Sequence, residues 1–189
     1  MTLLECLQTI PDFRRKQGRR YPLDALLLIT IMSMMSGRYG YREIAAFAKA
    51  NQQEFLRCFH LKRKTLASHV TFREVIKGVD VNEVITAFNR WASQYITPEP
   101  GEWFSIDGKA LGSTVTASDS AYQNFVSLVS VFSHQRGQVA GAAMLENLKR
   151  SEIPTVHDLI ETLGLRGMVF TLDALHCQKN GQNHHGKRQ

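Results

Sequence analysis

A stretch rich in proline and glycine, TPEPGE at residues 97–102, separates two halves of the chain with different apolar periodicities. Before it, apolar residues recur at the spacing of amphipathic helices. After it, short apolar runs are interrupted by single polar residues or continue unbroken, which is typical of strands. The break therefore predicts an α+β protein with a helical domain over residues 1–96, a linker over 97–101 and a strand-rich domain over 102–177.

The helical half contains one strongly apolar run, LLLITIMSMM, which follows Pro22 and precedes Gly37. Basic residues lie before this run, as in a signal peptide, but they begin only at residue 14 and no small-residue cleavage site follows. The run is also too short to span a bilayer. We therefore predict a buried helix from Leu23 to about Met35, with no membrane partner. Three cysteines without metal-like or disulfide-like spacing favour a reducing, cytoplasmic location.

The second half predicts the order strand, strand, strand, helix, strand. WFSI is expected to end at Asp107, and two further strands are expected on either side of HQRG. The segment TVHDLIETLG predicts a helix capped by Thr155 and ended by Gly164. The unbroken run MVFTL that follows is typical of a strand buried on both faces.

Two acids stand at the ends of predicted strands, Asp107 in SIDGKAL and Asp173 in TLDALHC. A strand that follows a crossover helix can return beside the first strand, which would bring the two carboxylates together. Carboxylate oxygens suit hard divalent cations, and bridged metal ions can activate water against a phosphodiester. An Asp followed by Gly is, however, more often a turn residue, so the residues alone leave this choice open.

Charge is unevenly distributed along the chain. Residues 1–100 carry 15 Lys/Arg and 9 Asp/Glu, whereas residues 101–189 carry 8 of each. A basic first half is typical of contact with a polyanion such as nucleic acid, and a solvated basic surface explains the charge equally well. The candidates for DNA contact are the basic runs RRKQGRR and LKRK, and a single lysine after Asp107: Arg14, Arg15, Lys16, Arg19, Arg20, Lys62, Arg63, Lys64 and Lys109.

A family resemblance joins these features. The segments LASHVTFREVI, IDGKALGSTV, NFVSLVSVFS and RSEIPTVHDLIETLGLRGMVFTLDALHCQK together resemble the DDE-type transposases of bacterial insertion sequences, in their ISAs-type, H-repeat-associated branch. The resemblance implies an RNase H-like catalytic fold preceded by a DNA-associated helical domain. It implies cleavage and transfer of DNA strands at the terminal inverted repeats of the element, with Mg²⁺ or Mn²⁺ as cofactor. It assigns Asp107 and Asp173 as the first two catalytic, metal-binding acids.

The chain departs from the family pattern at two places. Gly112 stands where members often have a basic residue, and no acid follows Asp173, although the family uses a later Glu as third ligand. We therefore expect a weakly bound metal ion and an incomplete RNase H-like domain. Residues 178–189 contain no aliphatic or aromatic residue. With one choice of codons for this segment, a single base added in an adenine run after Lys179 would encode a helix-forming continuation. The expectation is a disordered tail produced by a frameshift or truncation.

Three functions remain open at this stage: a truncated and inactive transposase, a non-catalytic DNA-binding remnant, and a self-sufficient nuclease. The second would occupy element ends or inhibit full-length transposase by pairing with it, or it would form a homo-oligomer. The third needs an acid that the chain does not supply. A zinc site is disfavoured because four clustered residues match no common ligand spacing: His176, Cys177, His184 and His185.

Overall fold

The computed structural model describes residues 1–97, 99–116, 124–146, 152–165 and 167–172. The chain divides into two compact units, Met1–Trp91 and a second that begins at Ala92. Each unit has its own hydrophobic core. Helices build the first unit and a mixed four-stranded sheet builds most of the second, so the predicted α+β class is confirmed.

The first unit is organised around its most apolar helix. Its helices, in chain order, are α1 Leu3–Leu7, α2 Leu23–Met35, α3 Tyr41–Ala50, α4 Gln52–Cys58, α5 His69–Gly78 and α6 Val81–Ala92. Helix α2 has the predicted bounds and buries residues around much of its circumference, including Leu26, Ile29 and Ser33. Such all-round burial identifies a central core helix. Among the described residues, no helix is long and apolar enough to cross a membrane.

The boundaries of these helices follow local chemistry. Pro22 precedes α2, and Gly37 follows it with a φ of 76°, the left-handed conformation that favours glycine after a helix. At the start of α6, the Asp80 side chain accepts a hydrogen bond from the backbone N–H of Asn82 at 2.9 Å. Asp80 therefore satisfies one of the free N–H groups at this helix start.

The sheet of the second unit consists of β1 Trp103–Thr116, β2 Asn124–Ser133, β3 Gln138–Glu146 and β4 Val169–Thr171, with helix α7, Glu152–Thr162, between β3 and β4. The strand order is β3-β2-β1-β4. Neighbours β1–β2 and β2–β3 are antiparallel, whereas β4 lies parallel to β1. The element order and the return of the last strand beside the first are therefore as predicted.

The two faces of this sheet differ. Phe104, Val129 and Leu145 belong to the core into which α7 packs through Val156 and Leu159. Side chains alternate along a strand, so the neighbouring positions lie on the opposite face. The large apolar side chains that are exposed on the described part of the sheet lie on this second face: Trp103, Phe132, Val139 and Val169. No described element covers them.

Three local predictions are wrong. Strand β1 does not end at Asp107, because pairing with β2 continues through Gly108 and Lys109 to Thr116. Helix α7 begins at Glu152 rather than after Thr155, since Pro154 is tolerated within a first helical turn. Strand β4 is not buried on both faces, because the side of Val169 is open among the described residues.

Candidate functional site

Asp107 lies within strand β1, which is next to the edge strand β4, and not in a turn. Strand β1 pairs with β2 there, and Asp107 stands opposite Ser130. Its side chain is exposed on the face opposite α7, while the neighbouring Ile106 is buried in the core. Within the described part of the chain, its carboxylate has no hydrogen-bond or ion-pair partner. It is therefore free to accept a cation or a polar ligand.

Paired residues of β1 and β4 differ by the same number of sequence positions along the described part of the two strands. Trp103 pairs with Val169, Phe104 with Phe170 and Ser105 with Thr171, each pair being 66 positions apart. Asp107 and Asp173 are separated by the same number of positions. Asp173 itself lies outside the described residues, which stop at Leu172.

A hydroxyl pair joins the two strands just before the acids. Ser105 Oγ lies 2.9 Å from Thr171 Oγ1 and also contacts His134 Nε2. The backbone N–H of His134 donates to the carbonyl oxygen of Trp103 at 3.1 Å. These side chains line an open cleft of about 680 Å³. The sequence alone does not reveal this cluster, because Ser105, His134 and Thr171 are far apart in the chain.

Lys109 lies on the same face as Asp107, because two positions separate them on one strand. Its side chain is exposed. Strand β1 continues through Lys109 and holds it on the sheet, at roughly 7 Å from Asp107 along the strand. An ammonium group and a carboxylate are thus presented side by side.

Glu102 is a buried acid with a different role. Its carboxylate accepts a hydrogen bond from Ser133 Oγ at 2.5 Å, and Arg136 Nε lies 3.5 Å away. The pKa of Glu102 is lowered, first by the Ser133 hydrogen bond, then by the backbone N–H of Glu99 and the charge of Arg136, which together outweigh the burial that raises it. Arg136 also donates to the carbonyl oxygen of Thr97. Glu102 therefore ties the segment before β1 to the β2–β3 turn, and we assign it a structural role.

The first basic run is partly engaged within the protein. Arg14 is almost completely buried and pairs with Asp12 through two hydrogen bonds of 2.9 and 2.8 Å. Arg14 also donates to the carbonyl oxygen of Tyr21 at 2.8 Å. Arg19 remains exposed but donates to the carbonyl oxygens of Arg14 and Asp12, each at 2.7 Å. Arg14 thus folds this loop, and its guanidinium is not presented to solvent.

The other candidate cations of the first unit are exposed: Arg15, Lys16, Arg20, Lys62, Arg63 and Lys64. Arg63 lies over the ring of Tyr21, with 5.5 Å between Cζ and the ring centroid. Helices α3, α4 and α5 follow one another between Tyr41 and Gly78.

Residues 173–189 lie outside the described part of the chain. The predictions for Asp173, for the tail and for the four His and Cys residues near it therefore stay predictions. Among the described residues, no group of three or more His, Cys, Asp or Glu side chains could hold a metal ion. The exposed carboxylate of Asp107 is a donor of the kind that fits a hard cation.

Comparison with known proteins gives a consistent picture. Residues 4–92 match the model of the DDE_Tnp_1-associated family. The chain is 26% identical over 178 residues to the "H repeat-associated putative transposase YhhI" of Escherichia coli K12, covering 94% of the chain and 46% of that protein. It is 25% identical over 178 residues to the "H repeat-associated putative transposase YbfD" of the same strain, covering 94% of the chain and 69% of that protein. No solved structure matches the chain.

The chain spans just under half the length of YhhI and of the "Putative protein YbfL", also from Escherichia coli K12. The similarity to these relatives extends across both compact units, since it covers 94% of the chain. The family model, by contrast, covers the helical unit alone.

Proposed function

Since the chain belongs to the DDE-type transposases of the H-repeat-associated family, we propose that it carries the first part of a metal-dependent site for DNA strand cleavage and transfer. The proposed substrate is DNA at the terminal inverted repeats of an insertion sequence. The proposed catalytic fold is RNase H-like. The mixed sheet supports this fold, with three antiparallel strands followed by a helix and a fourth strand parallel to the first.

The register between β1 and β4 carries the proposal. Each described pair joins residues 66 positions apart, and the same offset extended by two residues pairs Asp107 with Asp173. Neighbouring strands lie about 4.8 Å apart, and paired residues of parallel strands present their side chains on the same face. We therefore expect the two carboxylates to be adjacent on the face opposite α7. This arrangement suits a shared divalent cation.

The residues take distinct roles in this proposal. Asp107 and Asp173 hold Mg²⁺ or Mn²⁺ through carboxylate oxygens. A bound ion of this kind supplies an activated water or hydroxyl and stabilises the leaving oxygen of the phosphodiester. Lys109, on the same face as Asp107, contacts a phosphate oxygen of the DNA. Ser105 and Thr171 fix the register of the two strands that carry the acids.

The test is nicking of supercoiled DNA that contains element ends, in the presence of Mg²⁺ or Mn²⁺. Two carboxylates bind a divalent ion with lower affinity than a larger set of oxygen ligands does. We therefore expect slow nicking whose rate increases with the metal concentration. Asp107→Asn should abolish the metal-dependent nicking because it removes a ligand while preserving size. Glu161→Gln, an exposed acid on α7, is the matched control and should leave it unchanged.

Nicking that persists in a chelator, or that is equal in Asp107→Asn and the wild-type chain, would contradict the catalytic assignment. A second candidate function, a non-catalytic DNA-binding protein, is favoured by the exposed cations of the helical unit. It predicts salt-sensitive DNA binding without metal-dependent nicking. Occupation of element ends, or pairing with full-length transposase to inhibit it, would then be its function.

A further inference from the structure

The two basic runs of the helical unit lie far apart in the sequence, and Tyr21 joins them in the fold. The Tyr21 hydroxyl donates to the carbonyl oxygen of Thr65 at 3.1 Å. On the same ring, the Arg63 guanidinium lies 5.5 Å from the centroid, within the range of a cation–π contact. Tyr21 directly follows the first run, and Thr65 directly follows the second. The two runs therefore form one surface, here called the Tyr21 basic surface: Arg15, Lys16, Arg19, Arg20, Lys62, Arg63 and Lys64.

Both loops of this surface are held in place by internal hydrogen bonds. Arg14 and Arg19 fold the first loop by bonding the Asp12 carboxylate and backbone carbonyls. In the second loop, Gln52 Nε2 of α4 donates to the carbonyl oxygen of Lys64 at 3.1 Å. A ligand that binds here consequently meets cations on preformed loops, which reduces the entropy lost on binding.

The charge of the surface is largely uncompensated. No acid occurs in the sequence between Asp12 and Asp24 or between Glu54 and Glu74. Asp12 is engaged by Arg14 and Arg19, and Glu54 pairs with Arg57. Among the described residues, no acid pairs with the Arg15, Lys16, Arg20 or Lys62 side chains.

We propose that the Tyr21 basic surface binds the phosphate backbone of duplex DNA. Clustered cations on loops contact phosphates, fix the position of a protein on the duplex and carry little sequence information. The choice of DNA among polyanions rests on the proposed function. The surface would thus hold DNA independently of the metal-binding acids in the sheet.

The experiment measures binding of the full chain to a labelled duplex over a range of salt concentrations. Three variants each remove two charges: Arg15→Gln/Arg20→Gln from the first loop, Lys62→Gln/Lys64→Gln from the second, and Arg38→Gln/Arg42→Gln as the control. The control residues follow α2, whereas Tyr21 precedes it, so about 20 Å of helix separates them from the surface. Circular dichroism confirms that each variant is folded.

Each loop variant should weaken binding at least about tenfold at low salt and reduce the slope of log affinity against log salt by up to about 1.8, because two phosphate contacts are lost. The control variant should bind the duplex with an affinity within about twofold of that of the wild-type chain. Tyr21→Ala should also weaken binding, although it changes no charge, because it separates the two loops. Tyr21→Phe, which keeps the ring beneath Arg63, should retain most of the affinity.

Equal effects of the loop variants and the control would overturn the proposal, since binding would then depend on overall charge. Tighter binding to single-stranded RNA of equal length, or to anionic lipid vesicles, would overturn the assignment of DNA. The proposed catalytic function is tested by different measurements, because nicking and metal binding depend on Asp107 and not on this surface. Loss of nicking with intact binding would therefore leave the Tyr21 basic surface in place.

Discussion

At the scale of single residues, some of the described acids stabilise the fold through hydrogen bonds, whereas Asp107 is free on the face of the sheet. Asp12 and Glu102 each accept hydrogen bonds from neighbouring groups, and both have a lowered pKa. Asp107, in contrast, is exposed and without a partner among the described residues. Sequence position did not distinguish these acids, because Asp12 and Glu102 lie outside any motif. A carboxylate that is hydrogen-bonded within the protein stabilises the fold, whereas a free one on a sheet face is available to a ligand.

Asp12→Asn should destabilise the helical unit by about 1–3 kcal/mol, because it leaves the buried Arg14 guanidinium without its charged partner. Chemical denaturation of the full chain measures this loss. Arg57→Gln, at an exposed ion pair with Glu54, is the control and should cost less than about 1 kcal/mol. Equal losses in the two variants would contradict the structural role of the Asp12–Arg14 pair.

The same pair predicts a dependence of stability on pH. The pKa of Asp12 is lowered from 3.8 chiefly by the hydrogen bond from the Arg14 side chain. A lowered pKa contributes stability that is fully present above the unfolded-state pKa of about 3.9 and is lost as the pH falls through the folded-state pKa. The stability difference between the wild-type chain and Asp12→Asn should therefore shrink below about pH 4. A constant difference across this range would contradict the assignment.

At the scale of elements, apolar periodicity predicted which segments form helices and strands, whereas pairing between strands determined where some of the strands end. Helix α2 and the strand–helix–strand order follow from apolar spacing and from Pro22 and Gly37. The true length of β1 did not follow, because its second half is stabilised by β2 across the sheet. The Ser105–His134–Thr171 cluster was equally inaccessible, since its members meet only after the strands have paired.

The packing of α7 on the sheet depends on a glycine. A Cβ added to Gly141 of β3 would lie 2.7 Å from both methyl carbons of Leu163, closer than side chains approach one another. Gly141→Ala should therefore destabilise the second unit by about 1–3 kcal/mol, as overpacking does. Combination with Leu163→Ala should recover part of this loss, and a double-mutant cycle by thermal denaturation measures the coupling. Strict additivity of the two changes would contradict direct contact.

The hydroxyl pair of Ser105 and Thr171 links β4 to β1 at the last described pair of the two strands. Thr171→Val, which preserves shape, should cost about 0.5–1.5 kcal/mol and weaken Mn²⁺ binding, because the acid that follows is held less firmly. Thr171→Ser keeps the hydroxyl and should restore the metal affinity. Unchanged Mn²⁺ affinity in Thr171→Val would show that this pair does not position the proposed ligands.

At the scale of the whole molecule, the proposed DNA-binding surface and the proposed metal site lie in different units. The helical unit carries the Tyr21 basic surface, and the sheet unit carries Asp107 with Lys109 on one open face. The sequence predicted both basic runs and the first acid, but only the fold brings the two runs together through Tyr21.

The most direct test of the proposed metal site is a titration of the full chain with Mn²⁺, followed by electron paramagnetic resonance of the free ion. We expect binding that Asp107→Asn and Asp173→Asn each weaken by more than about tenfold, since each removes one of the two proposed carboxylate ligands. Glu161→Gln should leave the binding unchanged. Mn²⁺ binding that is equal in Asp107→Asn and the wild-type chain would contradict the proposed metal site of Asp107 and Asp173.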